Sequence, residues 1–293
     1  MREDDLRTSA NIEDRRGRGG GFSVGRGGLG IGTVVVLGLI GWILGIDPSA
    51  LINGAEMVAG GGNPQVSEQS PGRTGAPTDQ TGQFVAKILG ETEDVWSQVL
   101  PAQANRPYEK PYLVLFSGMT QSACGTAQSA IGPFYCPLDR KVYLDTSFFQ
   151  DMQRRFGGGG DFAYAYVVAH EIGHHVQNLL GILPKVQSMK RNAPDRAGAN
   201  DLSVRTELMA DCLAGVWANR MNQRHHNIEE GDVREAIAAA TAIGDDRLQR
   251  QSQGQVVPDS FTHGSSAQRV HWLSVGLKSG AMQTCDTFQV QQP

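Results

Sequence analysis

His170, Glu171 and His174 fall within five consecutive positions of the stretch AHEIGHHVQNLLG, residues 169 to 181. Histidines four apart on a helix leave the same face roughly 6 Å from each other, so both imidazoles can meet one cation. Glu171, beside the first of them, is placed to take a proton from a water on that cation without ligating it. The pattern is H-E-x-x-H, and the chemistry it points to is metal-assisted hydrolysis. Zinc in such a site takes three protein ligands and leaves one position for water, so Zn2+ is the expected cofactor and a third ligand has to be found.

The extended motif H-E-x-x-H-x-x-G-x-x-H requires glycine at 177 and histidine at 180; Gln177 and Leu180 stand there and exclude a metzincin. His175 points about 100 degrees round the helix from His174, too far to share the ion, and belongs at the edge of the site. The stretch RTELMADCLAGVW, Arg205 to Trp217, supplies a better candidate. Val204, Leu208, Cys212 and Gly215 trace one inward face of a helix, and Glu207 and Asp211 lie on the same stripe. Carboxylates on an apolar face need a partner. Glu207 is the expected third ligand, and Asp211, one turn on, the acceptor for the free N–H of a ligating histidine. An ordinary salt bridge to Arg205 or Arg220 is the competing explanation.

These motifs carry a resemblance. H-E-x-x-H followed by E-x-x-A-D, here His170 to His174 and Glu207 to Asp211, resembles the gluzincin peptidases. Together with ACGTAQSAIGPFYCPLDRKVYLD, IGDDRLQ and FTHGSSAQR, the set resembles the neutral zinc metallopeptidase family of membrane-anchored bacterial proteins across essentially the whole chain. The resemblance implies a zincin-like fold, peptidase activity and a protein or peptide substrate. Thr262-His263 with Arg269 beyond it also resembles a Ser/Thr-His-Pro segment with a trailing arginine in integral-membrane peptidases, although Gly264 replaces the proline. On that basis His263 is a catalytic candidate, opposite the metal, where it would stabilise the oxyanion. His225, His226 and His271 read as surface residues. A scaffold that keeps zinc structurally, and a hydrolase of cell-wall peptides, are the alternatives; a purely structural site has no use for Glu171.

The elements that must position these residues read as an α+β fold: a small sheet with a hairpin, then a mostly helical half. Apolar residues recur at helical spacing from Phe84 to Leu100, ending at Pro101. Tyr112 to Phe116 reads as a buried strand, and Phe134 to Asp145 as a hairpin turned at Pro137 to Arg140. Val142 to Leu144 is expected to be the edge strand that holds an extended substrate. A short helix carrying Phe148, Phe149, Met152 and Phe156 stops at four glycines. The motif helix runs from an Asp161 cap to Gly181, the next from Asp201 or Ser203 to about Gln223, and a third begins near Glu229. Pro184 to Asp201 reads as a loop, and the chain beyond Gln253 as less regular.

The 293 residues are 40% hydrophobic with a net charge of −4, enough for a full core and unsuited to a polyanionic partner, so no nucleic acid is expected. From Gly28 to Ile46 run 19 residues without a charge, long enough to cross a bilayer once. Arg15, Arg16, Arg18 and Arg26 precede the run, which places the N-terminus in the cytoplasm and the remainder outside the inner membrane. The expected organisation is a cytoplasmic tail at 1–27, an anchor at 28–46, a flexible linker at 47–79 and the metallopeptidase domain at 80–293. In an oxidising compartment Cys124, Cys136, Cys212 and Cys285 can pair in three ways, with Cys124–Cys136 and Cys212–Cys285 favoured. No C-x-x-C pair supports a cysteine-ligated zinc.

Overall fold

The structure is a computed structural model that describes residues 1–3, 5–17, 72–129, 132–156, 159–291 and 293, with backbone alone for residues 155 and 156. One sheet has the order β2-β1-β3-β7-β6, where β1 is Ile12–Asp14, β2 Arg73–Thr74, β3 Tyr112–Phe116, β6 Phe134–Cys136 and β7 Lys141–Asp145. β1, β3 and β7 run parallel; β2 and β6 pair antiparallel at the two edges. β3 and β7 are apolar on both faces because both are covered. Leu113, Leu115, Val142 and Leu144 join the main core, while Val114, Phe116 and Tyr143 form a smaller cluster with Ala127 and Cys136. Ala127 comes from a separate hairpin, β4 (Met119–Ser122) with β5 (Gly125–Gln128), which the Cys124–Cys136 disulfide ties to β6.

The helices are α1 (Gln80–Ala104), α2 (Ser147–Asp151, continued by a π-helical turn Met152–Phe156), α3 (Asp161–Leu179), α4 (Ile182–Arg191), α5 (Arg196–His225), α6 (Glu230–Ala242), α7 (Asp245–Gln253) and α8 (Ser266–Ser279). The α+β expectation holds, with more helix than the sequence suggested. α1 runs past Pro101, which costs one intrahelical bond near the end of the helix. α4 and the start of α5 replace the loop expected from Pro184 to Asp201. Pro184 lies in the first turn of α4, where its missing N–H has no partner to lose. Asp195 starts α5 by accepting from Gly198 N at 2.8 Å. α8 carries a capping box of Ser265 and Gln268 in the tail expected to be irregular.

Two close helix contacts set the site. On α3, a Cβ at Gly173 would lie 3.0 Å from the Ala210 carbonyl oxygen of α5. On α8, a Cβ at Gly276 would lie 1.9 Å from the Cys212 carbonyl oxygen, so α8 rests directly on α5, and the Cys212–Cys285 disulfide closes the same contact. Both favoured disulfide pairings are therefore formed. α3 itself begins at Gly160, whose φ of 134° suits glycine. Its cap comes from Glu235 of α6, which accepts from Phe162 N at 3.1 Å; Asp161, expected as the cap, is the first helical residue.

Three further expectations need correction. Val142 to Leu144 is not an edge: β7 lies between β3 and β6, and β6 is the outermost strand on that side among the described residues. His225 is not simply a surface residue, since its Nε2 lies 3.1 Å from the buried Glu91 carboxylate. The folded body does not start at residue 80, because residues 12–14 and 73–74 are strands of its main sheet. The expected anchor at 28–46 and most of the expected linker lie outside the described residues, as do residues 157 and 158 of the glycine run. Among the described residues no helix is long and apolar enough to cross a membrane.

Candidate metal centre

α3 and α5 cross at Gly173 and Ala210, and this contact brings their polar residues together inside an apolar core. His170, His174 and Glu207 each offer one ligand atom, and these atoms lie within 4.8 Å of one another. The opposite nitrogen of each ring is already committed. His170 Nδ1 lies 2.8 Å from Asp211 Oδ1, and since an ionised carboxylate only accepts, Nδ1 carries the hydrogen. His174 Nδ1 lies 2.9 Å from Gln177 Oε1. The Gln177 amide is oriented by its other end, where Nε2 donates to the Thr206 carbonyl at 2.7 Å. Both rings, if neutral, thus turn a lone pair at Nε2 toward Glu207.

Those lone pairs meet carboxylate oxygens: His170 Nε2 is 3.1 Å from Glu207 Oε2, and His174 Nε2 is 3.5 Å from Oε1. Lone pairs facing one another repel unless positive charge lies between them, supplied by protons or by a cation. The donor set, two imidazole nitrogens and one carboxylate, fits zinc. Without a metal the electrostatics take the proton route. Burial opposes charging, but Asp211 and Glu207 push His170 up to about 10, and Glu207 likewise raises His174. Against the same burial, the two histidines hold Glu207 well below the usual carboxylate range.

Asp211 is completely buried and made tolerable by Arg269 of α8, whose Nε and Nη2 donate to its two oxygens at 2.9 Å each. The Tyr166 hydroxyl donates to Asp211 Oδ1 and accepts from Arg269 Nη2 at 3.2 Å. Burial works against the Asp211 charge, yet Arg269 and His170 lower its pKa to about 2. The alternative partners weighed from sequence are engaged elsewhere: Arg205 with Asp201 and the carbonyl of Thr287, Arg220 with the carbonyl of Gly280. Glu171 is 7% exposed and stands outside the set of converging ligand atoms. Burial is the main cause that raises its pKa, opposed by His170 and His174.

The loop that carries His263 packs against the same stretch of α5, where a Cβ at Gly264 would lie 3.1 Å from the side chain of Leu208, the neighbour of Glu207. Asp245 at the start of α7 organises this loop: Oδ2 accepts from the backbone N–H groups of Thr262 and His263 at 2.7 Å, and Oδ1 lies 3.3 Å from His263 Nδ1. Asp246 does the same for Ser266, accepting from its N–H at 2.7 Å and its hydroxyl at 2.8 Å. Gly264 has φ of 94°, which proline cannot adopt, so the departure from the Ser/Thr-His-Pro pattern follows from the turn. His175 stays out of the ligand set and hydrogen-bonds instead, as expected, fastening α3 to the sheet. Its Nε2 donates to the Glu109 carbonyl at 2.6 Å, and its Nδ1 accepts from the Tyr135 hydroxyl of β6 at 3.0 Å. Burial lowers its pKa to about 4, so the ring is neutral at pH 7.

A family model described as "Putative neutral zinc metallopeptidase" matches residues 1–288. The chain belongs to that family. The uncharacterized protein YpfJ of Escherichia coli K12 is 48% identical over 298 residues, covering 98% of this chain and 99% of its own length. Uncharacterized proteins of Mycobacterium bovis and Mycobacterium tuberculosis H37Rv are each 42% identical over 257 residues, 84% of either chain. No solved structure matches. Three residues to which the sequence assigned no role at the site complete its surroundings: Gln177 beside His174, Tyr166 beside Asp211 and Asp245 beside His263. Gln177 and Asp245 lie within AHEIGHHVQNLLG and IGDDRLQ, but nothing in spacing alone connects them to His174 or His263.

Proposed function

We propose that this protein is a zinc-dependent endopeptidase whose metal is held by His170, His174 and Glu207. A zinc ion there supplies Lewis acidity toward the scissile carbonyl. The observation that carries the reading is the convergence of the two Nε2 atoms on Glu207 while both Nδ1–H groups are engaged and Glu171 stays out of the ligand set. A scaffold site has no role for an unligated buried glutamate beside its ligands.

The chain's own residues divide the work. Glu171 takes a proton from the attacking water as the C–O bond forms, then delivers it to the leaving nitrogen as the C–N bond breaks. Burial, which raises its pKa, favours its holding the proton between these two transfers. His263, steadied by Asp245, donates a hydrogen bond to the carbonyl oxygen as that oxygen gains charge. Asp211 and Gln177 hold the two imidazoles in the tautomer and orientation that ligation needs. An extended peptide adds to the sheet along the outer edge of β6, which His175 and Asn178 fasten to α3 through the Tyr135 hydroxyl. Membrane attachment through 28–46, which need not be a single crossing, would restrict which substrates reach the site.

The test pairs zinc analysis with cleavage of casein and a peptide library by the full chain and by Glu171→Gln. Retained zinc with cleavage reduced at least about 100-fold is expected; equal cleavage by both would reject the mechanism.

A further inference from the structure

Glu93 lies in the middle of α1, 1% exposed, and a buried carboxylate needs donors. Apart from Lys110, whose Nζ is 3.5 Å away, its recorded partners come from a segment more than 80 positions upstream. Ser9 Oγ and Asn11 Nδ2 donate to Oε1 at 2.6 and 2.7 Å, and Arg7 Nη2 donates to Oε2 at 2.7 Å. The segment lies flat on the helix. A Cβ at Gly90 would come within 2.1 Å of the Arg7 carbonyl oxygen, and Ser9 N donates to the Ala86 carbonyl at 2.9 Å.

A second, independent set of contacts follows at once. Ile12, fully buried in the main core, opens β1, and β1 is an interior strand with β3 on one side and β2 on the other. Glu13, beside it, accepts from Lys141 Nζ at 2.7 Å and Arg15 Nε at 2.9 Å. Arg16 bonds Asp14 and Asp79. Arg15 and Arg16, counted from sequence as part of a basic cytoplasmic flank, are therefore neutralised inside the fold. The family match also takes in this arm, since it covers residues 1–288.

An interior strand and the donors of a buried carboxylate cannot be separated by a bilayer from the sheet and helix they complete. β1 and β2 are antiparallel neighbours, with Asp14 opposite Arg73, so the chain leaves and rejoins the body at adjacent strand ends. We infer that residues 5–17 and the metal-site domain lie on the same side of any membrane this protein meets. A single crossing by the apolar run at 28–46, with the N-terminus in the cytoplasm and the domain outside, is incompatible with that arrangement. Because the body also holds two disulfides, the arm shares the oxidising compartment that those bonds call for.

Full-length protein in its native cells tests this directly. The four native cysteines are all paired, so an introduced thiol is labelled without competition. Thr8→Cys reports on the arm and Gln251→Cys, on α7, on the domain; both positions are exposed. A membrane-impermeant maleimide is applied before and after permeabilisation. The two thiols are expected to label under the same condition, whichever it is. Labelling of one before and of the other only after permeabilisation would overturn the inference. A thermal-melt cycle on the full chain tests the docking separately: Arg7→Ala and Glu93→Gln should each lower the Tm, and the double variant should fall by less than their sum. Strict additivity would mean that the arm does not dock through Glu93.

Discussion

At the residue scale, metal binding depends on which nitrogen of each histidine is free. Asp211 and Gln177 engage Nδ1 of His170 and His174 and so leave both Nε2 atoms for one ion. Asp211 was legible because a carboxylate on an apolar helix stripe demands an explanation. Gln177 was not: at sequence level it served only to exclude a metzincin, and its link to His174 depends on the Thr206 carbonyl turning its amide. Gln177→Ala should lower zinc affinity by about 10- to 100-fold, measured by chelator competition, while the far-UV circular dichroism stays unchanged. An unaltered affinity would assign Gln177 to packing alone. The partner of Asp211 was also out of reach of spacing, since Arg269 lies 58 positions away and meets it only because α8 rests on α5.

At the element scale, α3, α5 and α8 act as one unit. H-E-x-x-H and E-x-x-A-D announced the first two helices and the faces they turn to each other. Of the interior strands, β3 and β7 were equally legible from their apolar runs, whereas β1 was hidden in a charged N-terminal segment. The edge was not legible, because YLVLF and KVYLD carry similar patterns and only the pairing distinguishes an interior strand from a border. α8 was missed because its inward face is interrupted by Arg269, a charge that breaks the apolar periodicity and is explained only once Asp211 is beside it. The contact of α8 with α5 is made by backbone, at Gly276 against the Cys212 carbonyl. Gly276→Ala should force the helices apart, lower the Tm and weaken zinc retention, as Arg269 withdraws from Asp211. A variant with wild-type melting and metal content would show that α5 and α8 can separate freely.

At the scale of the whole molecule, the N-terminal arm makes the body larger than the sequence suggests. Its charged residues look like a solvated tail because their partners, Glu93, Asp94, Asp79 and Lys141, are far away in sequence. Glu13 gives this docking a pH signature. Burial works against its charge, but Arg15 and Lys141 lower its pKa from 4.5 to about 2. A carboxylate with a depressed folded pKa contributes stability that is present above its unfolded pKa and lost as pH falls through the folded one. Glu13→Gln should therefore melt below the wild type at pH 7, and the gap should close between about pH 4.5 and 2. A gap that persists unchanged at pH 2 would show that the ion pairs of Glu13 are not its cause.

The central claim is that α3 and α5 present His170, His174 and Glu207 to a single zinc ion. Anomalous diffraction at the zinc edge from crystals of the zinc-loaded full chain measures this most directly. The account predicts one strong peak within bonding distance of His170 Nε2, His174 Nε2 and a Glu207 oxygen, with no fourth protein atom in its coordination shell. A peak elsewhere, or one closed off by a fourth side chain, would contradict it.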